Sequence, residues 1–381
     1  MQTVSHRKPI KVLIGANVGH STEVEMIAGL RDAGIDIHAA LQPESPHFDR
    51  LKALGIPTRE LTLKNNVDIL QIRKIRRWIK KESFDILHGL ANRPIANFIS
   101  ASYGLPVRMI AYRGATGNVS RWDPGCYLKW LNPRVDRIVC VSDAVYKDLV
   151  ASGVDAHKLI TIYKGHNLEW YSAKPLSAGE LRDRRADLGI PPGVFLIGLV
   201  ANMRRVKGAD LLLLALKDLP PHFHALLVGE VRDPAIAEIL KEPALIGRVH
   251  LTGHRKDATA LVALCDVNTA PSRGREGLTK TVIEGMAQGV PAVVSKAGGL
   301  PEIVDDGING FVVDIRPEVR DDIRDDIRDT HVLKHALLSI EADAELRQAM
   351  STSARAKIAN QFNIKDTIQK TKVMYETLIE D

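Results

Sequence analysis

A chain of 381 residues is too long for one ordinary domain, so two domains are expected. Its hydrophobic content of 45% is enough for full cores, yet no apolar run approaches the ~20 residues needed to span a bilayer. The net charge of +6 is spread over both halves and gives no nucleic-acid signature by itself. The opening MQTVSHRKPIKVLIGA passes straight into a strand-like run, without an apolar signal region or a cleavage site, so a cytoplasmic location is expected. Cys126, Cys140 and Cys265 are odd in number and widely scattered, which predicts reduced, buried thiols and no metal centre.

In chain order, residues 10–16 read as a short apolar strand, followed by a loop with Gly15 and Gly19 that opens an amphipathic helix. Ser21 or Thr22 is placed to cap that helix, with Glu25 completing a capping box after Thr22. The start is Rossmann-like, although its glycines do not spell a dinucleotide fingerprint. Strands and helices then alternate: strand 37–41, a helix from Pro46, strand 58–61, helix 67–81, and strands 84–88, 107–112 and 137–141. This alternation predicts a parallel sheet with helices on both faces.

Helix 67–81 is the most basic part of the chain. Arg73, Lys74, Arg76, Arg77, Lys80 and Lys81, with Lys64 before it, face a single acid, Asp68, and Ile69, Ile72, Ile75, Trp78 and Ile79 form an apolar stripe. A helix that packs its stripe and solvates its charges is one reading; a basic face held against anionic lipid is the other. His88 and Arg113 stand at strand ends, where such sheets present their ligand crevice. Ser142 is placed to cap a helix after the strand at 137–141. Residues 172–193 lose strand periodicity and read as a linker.

The second half begins with VFLIGLVANMRRVKGADLLLLAL, a buried strand, a basic loop with Arg204, Arg205 and Lys207, and a helix. Cations at that position complement a developing pyrophosphate leaving group. FHALLVGE, with Gly229, supplies the next strand, and RVHLTGH and ALVALCDVNTAPS repeat the theme. The chain is organised around residues 271–313, PSRGREGLTKTVIEGMAQGVPAVVSKAGGLPEIVDDGINGFVV. A helix over 279–288 is stopped by Gly289 and Pro291, and 292–295 reads as a buried strand.

Gly277 leaves the N–H groups of Leu278, Thr279 and Lys280 facing an open loop, a ready anion site. Glu284 lies five residues beyond Thr279, roughly 7–8 Å along the helix axis, within reach of the ribose of a diphosphate bound at the helix start. Glu276, on the loop, faces whatever is attached beyond the diphosphate. The geometry asks for a nucleotide-sugar. GLTKT lacks the spacing of a P-loop. Residues 318–329, EVRDDIRDDIRD, repeat every four positions with Val319, Ile323 and Ile327 on one stripe, as an exposed, ion-paired helix would.

EGLTKTVIE, AQGVPAVV, GGLPEIV and DGINGFVV, in that order, resemble the donor-binding segment of the retaining GT-B glycosyltransferases of family four, the group 1 glycosyltransferases of bacterial polysaccharide and lipopolysaccharide type. The resemblance extends, more weakly, along nearly the whole chain. It implies an α/β GT-B fold, with two Rossmann-like domains whose parallel sheets face across a cleft. The acceptor domain is expected over 1–172, the donor domain over 173–363, and the C-terminal helix, 364–381, is expected to pack back on the first. It also implies a nucleotide diphosphate-sugar held by Lys207, Arg204 and the Leu278–Thr279 backbone, with Gly229 near the base; Asn202 stands at the position where the family has arginine, so Arg204 or Arg205 must substitute for it. Glu284 would hold the ribose and Glu276 the sugar.

In the first domain the family's loop usually carries Gly-Gly-x-Glu; here Gly19 is kept and His20 takes the second glycine's place. Arg113 stands where several members have a histidine against the sugar. The cleft candidates are therefore Gly19, His20, His88, Arg113 and Ser142. The chain has no Asp-x-Asp, so cationic side chains are expected to take the place of a metal, and no cofactor is expected. The expected partners are the donor, a glycan or lipid-linked acceptor, and anionic lipid on the inner face of the membrane, with no nucleic acid. Other GT-B chemistry, such as an epimerase or a phosphorylase, and a sugar or nucleotide binder without turnover remain alternatives. A glycoside hydrolase using Glu276 and Glu284 leaves the phosphate-binding loop unexplained.

Overall fold

The computed structural model describes residues 8–16, 21–171, 176–317 and 327–380. The chain forms two compact units, one of residues 1–167 and 362–381 and the other of residues 168–361. The first break thus falls after Asn167, rather than at 172/173.

The first unit is built on seven parallel strands: β1 (Lys11–Gly15), β2 (Asp36–Leu41), β3 (Thr58–Glu60), β4 (Ile86–Gly89), β5 (Arg108–Arg113), β6 (Arg137–Cys140) and β7 (Leu159–Thr161). Their spatial order is β3-β2-β1-β4-β5-β6-β7, so the strand order reverses between β1 and β4. The central strands β1, β2, β4, β5 and β6 are largely buried, as expected of a sheet covered on both faces, while the edge strands β3 and β7 are mostly half-buried. One face packs with helix Ser21–Asp32 and with helix Ile364–Glu380, which follows the second unit in the chain and contributes Met374, Tyr375 and Leu378 to the core.

That return is fastened by polar contacts as well. His166 N–H donates to Phe362 O at 2.8 Å and Ile364 N–H to His166 O at 2.9 Å. Gly165 N–H donates to Thr367 Oγ1 at 2.8 Å. A side chain at Gly165 would meet the Asn363 carbonyl oxygen at 2.1 Å, so only glycine permits this approach.

The second unit has six parallel strands: β8 (Phe195–Val200), β9 (Phe223–Val228), β10 (Val249–Gly253), β11 (Val267–Ala270), β12 (Ala292–Ser295) and β13 (Gly310–Val313). They lie in the order β10-β9-β8-β11-β12-β13, and here the reversal falls between β8 and β11. Helix Ala209–Asp218 carries Leu211, Leu212, Leu213 and Leu216 into the core on one face, where helix Ile327–Ala342 adds Leu333, Leu337 and Ile340. Parallel sheets of this kind bind ligands beyond the carboxyl ends of the strands at the point of reversal. In this unit that rule singles out the loops leaving β8 and β11.

Several local expectations are corrected. Helix Ser21–Asp32 has begun by Ser21, so Thr22 lies within it rather than capping it, and the Glu25 carboxylate takes Arg50 Nη2 at 2.6 Å and Asn167 Nδ2 at 3.4 Å. Within the stretch read as a linker, Ala178–Asp187 is a helix, capped by a full Ser177–Glu180 capping box. Residues 318–326 of the acidic repeat lie outside the described residues, and the helix that follows opens at Ile327. Asp329 there is fully buried against Arg316 rather than exposed, while Ile327 is largely exposed.

The basic helix spans Ile69–Glu82 with Asp68 as its cap. Only Ile75 and Ile79 are buried, whereas Val67, Ile69 and Leu70 stand exposed at its start, so the apolar stripe is narrower than its sequence suggests. Lys74 spends its ammonium on Glu60 O at 2.9 Å, and Arg76 spends its guanidinium on Ala101 O and Tyr103 O. Arg73, Arg77, Lys80 and Lys81 remain on the exposed face.

Candidate active site

The candidate residues of the second unit meet at the sheet reversal. The loop leaving β8 carries Asn202, Arg204, Arg205 and Lys207, and the loop leaving β11 carries Ser272, Arg273 and Glu276. Helix Lys280–Ala287 follows directly, with Thr279 as its cap residue. Its first N–H groups have no intrahelical acceptor and, with the helix dipole, favour an anion.

Glu276 is the centre of the arrangement. It is buried, and its carboxylate accepts from Lys207 Nζ at 2.6 Å, Ser272 Oγ at 2.6 Å and Thr279 Oγ1 at 3.1 Å. A buried carboxylate needs such donors, because an uncompensated charge at that depth is strongly disfavoured. Thr279, placed to cap the helix with its hydroxyl, instead turns that hydroxyl to Glu276. Lys207 and Glu276, which the sequence assigns to different parts of a ligand, form one ion pair.

Behind Glu276 passes the Gly298–Gly299 turn. Gly298 has φ +52°, and a Cβ there would lie 2.0 Å from the Glu276 carbonyl oxygen. Glycine at 298 is therefore required by backbone contact with the loop that presents Glu276. Gly229, at the end of β9, plays a similar part under the other loop: it has φ +138°, and a side chain would meet Ala201 O at 1.9 Å. Gly277 is buried, Leu278 is half-buried, and Asn202 and Arg204 are exposed.

Arg204 and Arg205, equivalent in the sequence, are not equivalent in the fold. Arg205 Nε donates to Asp210 Oδ2 at 3.2 Å, so its guanidinium is tied to a fully buried acid. Arg204 stands outward and is the arginine available to a ligand.

Glu284 lies one helical turn further on, also buried. Its Oε1 accepts from Lys280 Nζ at 3.2 Å and from the Tyr171 hydroxyl at 3.3 Å. Burial and the Glu284 charge both push the Tyr171 phenol far above its ordinary range, so it remains a donor. Tyr171 sits on the short turn Leu168–Tyr171, and nothing in the sequence marks it as a neighbour of Glu284. Among the described residues, no three His, Cys, Asp or Glu side chains gather in a way that would hold a metal ion.

The first-unit candidates are placed differently. Gly19 and His20 lie outside the described residues. His88, near the end of β4, is buried, and its Nδ1 is bonded to the Tyr375 hydroxyl at 2.7 Å. Burial alone pushes its imidazole down to about 3, so it is neutral at physiological pH. It lines a small apolar hollow with Thr22, Met26, Tyr112 and Ile162, and the helix that returns from the second unit fixes its ring.

Arg113, at the end of β5, is also buried; its guanidinium lies over the Trp130 ring, 4.1 Å from the centroid, and bonds to Gly117 O. In this place Arg113 pins the loop after β5. Ser142 is fully buried and acts as a cap, accepting from Val145 N–H at 3.2 Å. His88, Arg113 and Ser142 are thus each engaged by neighbouring protein groups.

Comparison with known proteins follows the same division. Residues 23–170 match the model of Glycosyltransferase Family 4, and residues 194–329 match that of Glycosyl transferases group 1. Spore coat protein SA of Bacillus subtilis is 28% identical over 47% of this chain, and the alignment spans only 51% of that protein. The UDP-Gal:alpha-D-GlcNAc-diphosphoundecaprenol alpha-1,3-galactosyltransferase of Escherichia coli is 24% identical over 99% of this chain and 97% of its own length. Among solved structures, Anabaena HepE in complex with UDP superimposes with a TM-score of 0.80 over 96% of this chain and 100% of that one. At 20% identity, this last match speaks for the fold alone.

Proposed function

The chain belongs to the group 1, family 4 glycosyltransferases of GT-B fold, and on that premise we propose that it moves a sugar from a nucleotide diphosphate-sugar to an acceptor hydroxyl, with retention at the anomeric carbon. The observation that carries the reading is the convergence of Lys207, Ser272 and Thr279 on Glu276 beside the start of helix Lys280–Ala287. The diphosphate is assigned to Lys207, Arg204 and the Leu278–Thr279 backbone, where cations and helix N–H groups favour its charge. The ribose is assigned to Glu284, and the sugar to Glu276.

Glu276, already bound by three donors, is suited to orienting sugar hydroxyls rather than to attacking carbon. Retention is therefore assigned to a front-face displacement. The bond from the anomeric carbon to the diphosphate oxygen breaks as the acceptor oxygen bonds on the same face, and the acceptor proton passes to the departing phosphate. The growing charge on that phosphate falls to Arg204 and Lys207, which makes the transfer metal-independent.

A lipid-linked acceptor in cell-surface glycan or lipopolysaccharide synthesis is proposed as well; the Escherichia coli relative is named for a diphosphoundecaprenol substrate. Among the described residues no helix is long and apolar enough to cross a membrane. The exposed Val67, Ile69 and Leu70 beside Arg73, Arg77, Lys80 and Lys81 support peripheral contact with anionic lipid, to which each cation contributes about 1 kcal/mol. Sedimentation with vesicles containing phosphatidylglycerol is expected to carry the wild type down and to lose most of an Arg73→Glu/Arg77→Glu variant. Binding indifferent to that charge reversal would remove the membrane from the proposal.

The donor assignment is tested by thermal unfolding with UDP, GDP, ADP and their sugars. Ligand at about 100 times its Kd stabilises by about 2.7 kcal/mol, a shift of several degrees for units of this size. One base is expected to raise the melting temperature of the wild type and to leave that of Glu284→Ala unchanged. Failure of every nucleotide to shift the wild type would sink the transferase reading.

A further inference from the structure

The loop that carries Arg204 and Lys207 is fastened to the loop that carries Glu276 by two residues that need not touch a ligand. Asp210 and Arg273 are both fully buried, with Arg273 Nη1 donating to Asp210 Oδ1 at 2.8 Å. The same guanidinium nitrogen donates to the carbonyl of Arg205, and Arg273 N–H donates to Val206 O at 2.9 Å. From the other side, Asp210 Oδ2 takes Arg205 Nε. One loop thus grips the two carbonyls that immediately precede Lys207. Gly208 completes the closeness: it has φ +73°, and a Cβ there would meet Pro271 O at 1.9 Å.

We propose that Asp210 and Arg273 are positioning residues for the donor diphosphate, holding Lys207 at Glu276 while withdrawing Arg205 from the phosphates. A buried pair of this kind adds little stability over an apolar pair of the same shape. Its value lies in fixing one geometry among several. Two arginines and one aspartate leave one net positive charge in the cluster, and the acid sits in the first turn of helix Ala209–Asp218, where the helix dipole favours it. With Arg205 so held, Arg204 and Lys207 are left to carry the leaving-group charge, and Lys207 enters the site at a fixed angle. A preorganised cation needs this support, since a displacement near 1 Å is enough to lose most of its effect.

The inference rests on the nucleotide-sugar reading, and the experiment separates the two. UDP, GDP and ADP are titrated calorimetrically into the wild-type chain, and the diphosphate that binds is then titrated into Asp210→Asn, Asp210→Glu and Arg273→Lys. Asp210→Asn is expected to weaken binding at least about tenfold and Asp210→Glu to recover part of the loss. A merely structural pair would lower the melting temperature while the folded variant bound with wild-type affinity, and that result overturns the proposal. If Asp210→Asn does not fold, Arg273→Lys decides the matter: it keeps the buried charge but its shorter side chain lacks the reach of Arg273 Nη1 to both Asp210 and the Arg205 carbonyl, so wild-type binding there also overturns it. If the wild type binds none of the three, the donor reading itself fails and the positioning role falls with it.

Discussion

Replacing Lys207 by alanine is expected to lower kcat about 10²- to 10³-fold, the range seen when one preorganised donor to a developing anion is removed. The substitution acts twice. It withdraws a cation from the departing diphosphate, and it takes from the buried Glu276 its ammonium partner, leaving the hydroxyls of Ser272 and Thr279 in place. Lys207→Arg is not a conservative change here, because a planar fork does not reproduce a point charge 2.6 Å from one carboxylate oxygen. Steady-state kinetics at saturating donor decide the matter. A kcat within about threefold of the wild type would remove Lys207 from the site.

Gly298→Ala is expected to do comparable damage without removing any functional group. The added methyl meets the Glu276 carbonyl oxygen at 2.0 Å, and a side chain at φ +52° is strained in its own right. The left-handed conformation costs about 1–2 kcal/mol for a non-glycine residue, and overpacking a tight site typically another 1–3 kcal/mol. For a unit of this size the two together lower the melting temperature by roughly 5–15 °C. Because the methyl pushes on the loop that presents Glu276, the stabilisation by nucleotide is expected to vanish as well. A variant that melts with the wild type and still responds to nucleotide would show that this approach of backbone to backbone is not needed.

Much of the second unit was legible because its signals are local. A helix bounded by Gly277 and Gly289, and a four-residue apolar run between turns, state their own structure within a dozen residues; the fold returns them as Lys280–Ala287 and Ala292–Ser295. What escaped reading depends on contacts across the chain. Nothing near Tyr171 announces that its hydroxyl lies against Glu284, 113 residues away. Arg273 and Asp210 are 63 residues apart, and no local pattern joins them.

The same limit applies to the first unit. His88 at a strand end suggested ligand contact, and nothing near it announces that its Nδ1 is bonded to Tyr375, 287 residues later. Arg204 and Arg205 carry equal weight in the sequence, and only the position of Asp210 separates them. Chemistry was visible where residue spacing sets the geometry. Where the tertiary fold chooses the partner, it was not.

The return of helix Ile364–Glu380 to the first unit has a consequence for how the molecule is made. A ribosome emits residues 168–361 as one uninterrupted stretch, so the second unit has its whole sequence before the first has its own. Until residues 362–380 emerge, the core around Ile14, Ile27 and Leu30 lacks Met374, Tyr375 and Leu378, and His88 lacks its hydroxyl partner. The half translated first is therefore the half finished last. A nascent chain stalled before this helix would present a completed second unit joined to an open sheet, the species that chaperones bind.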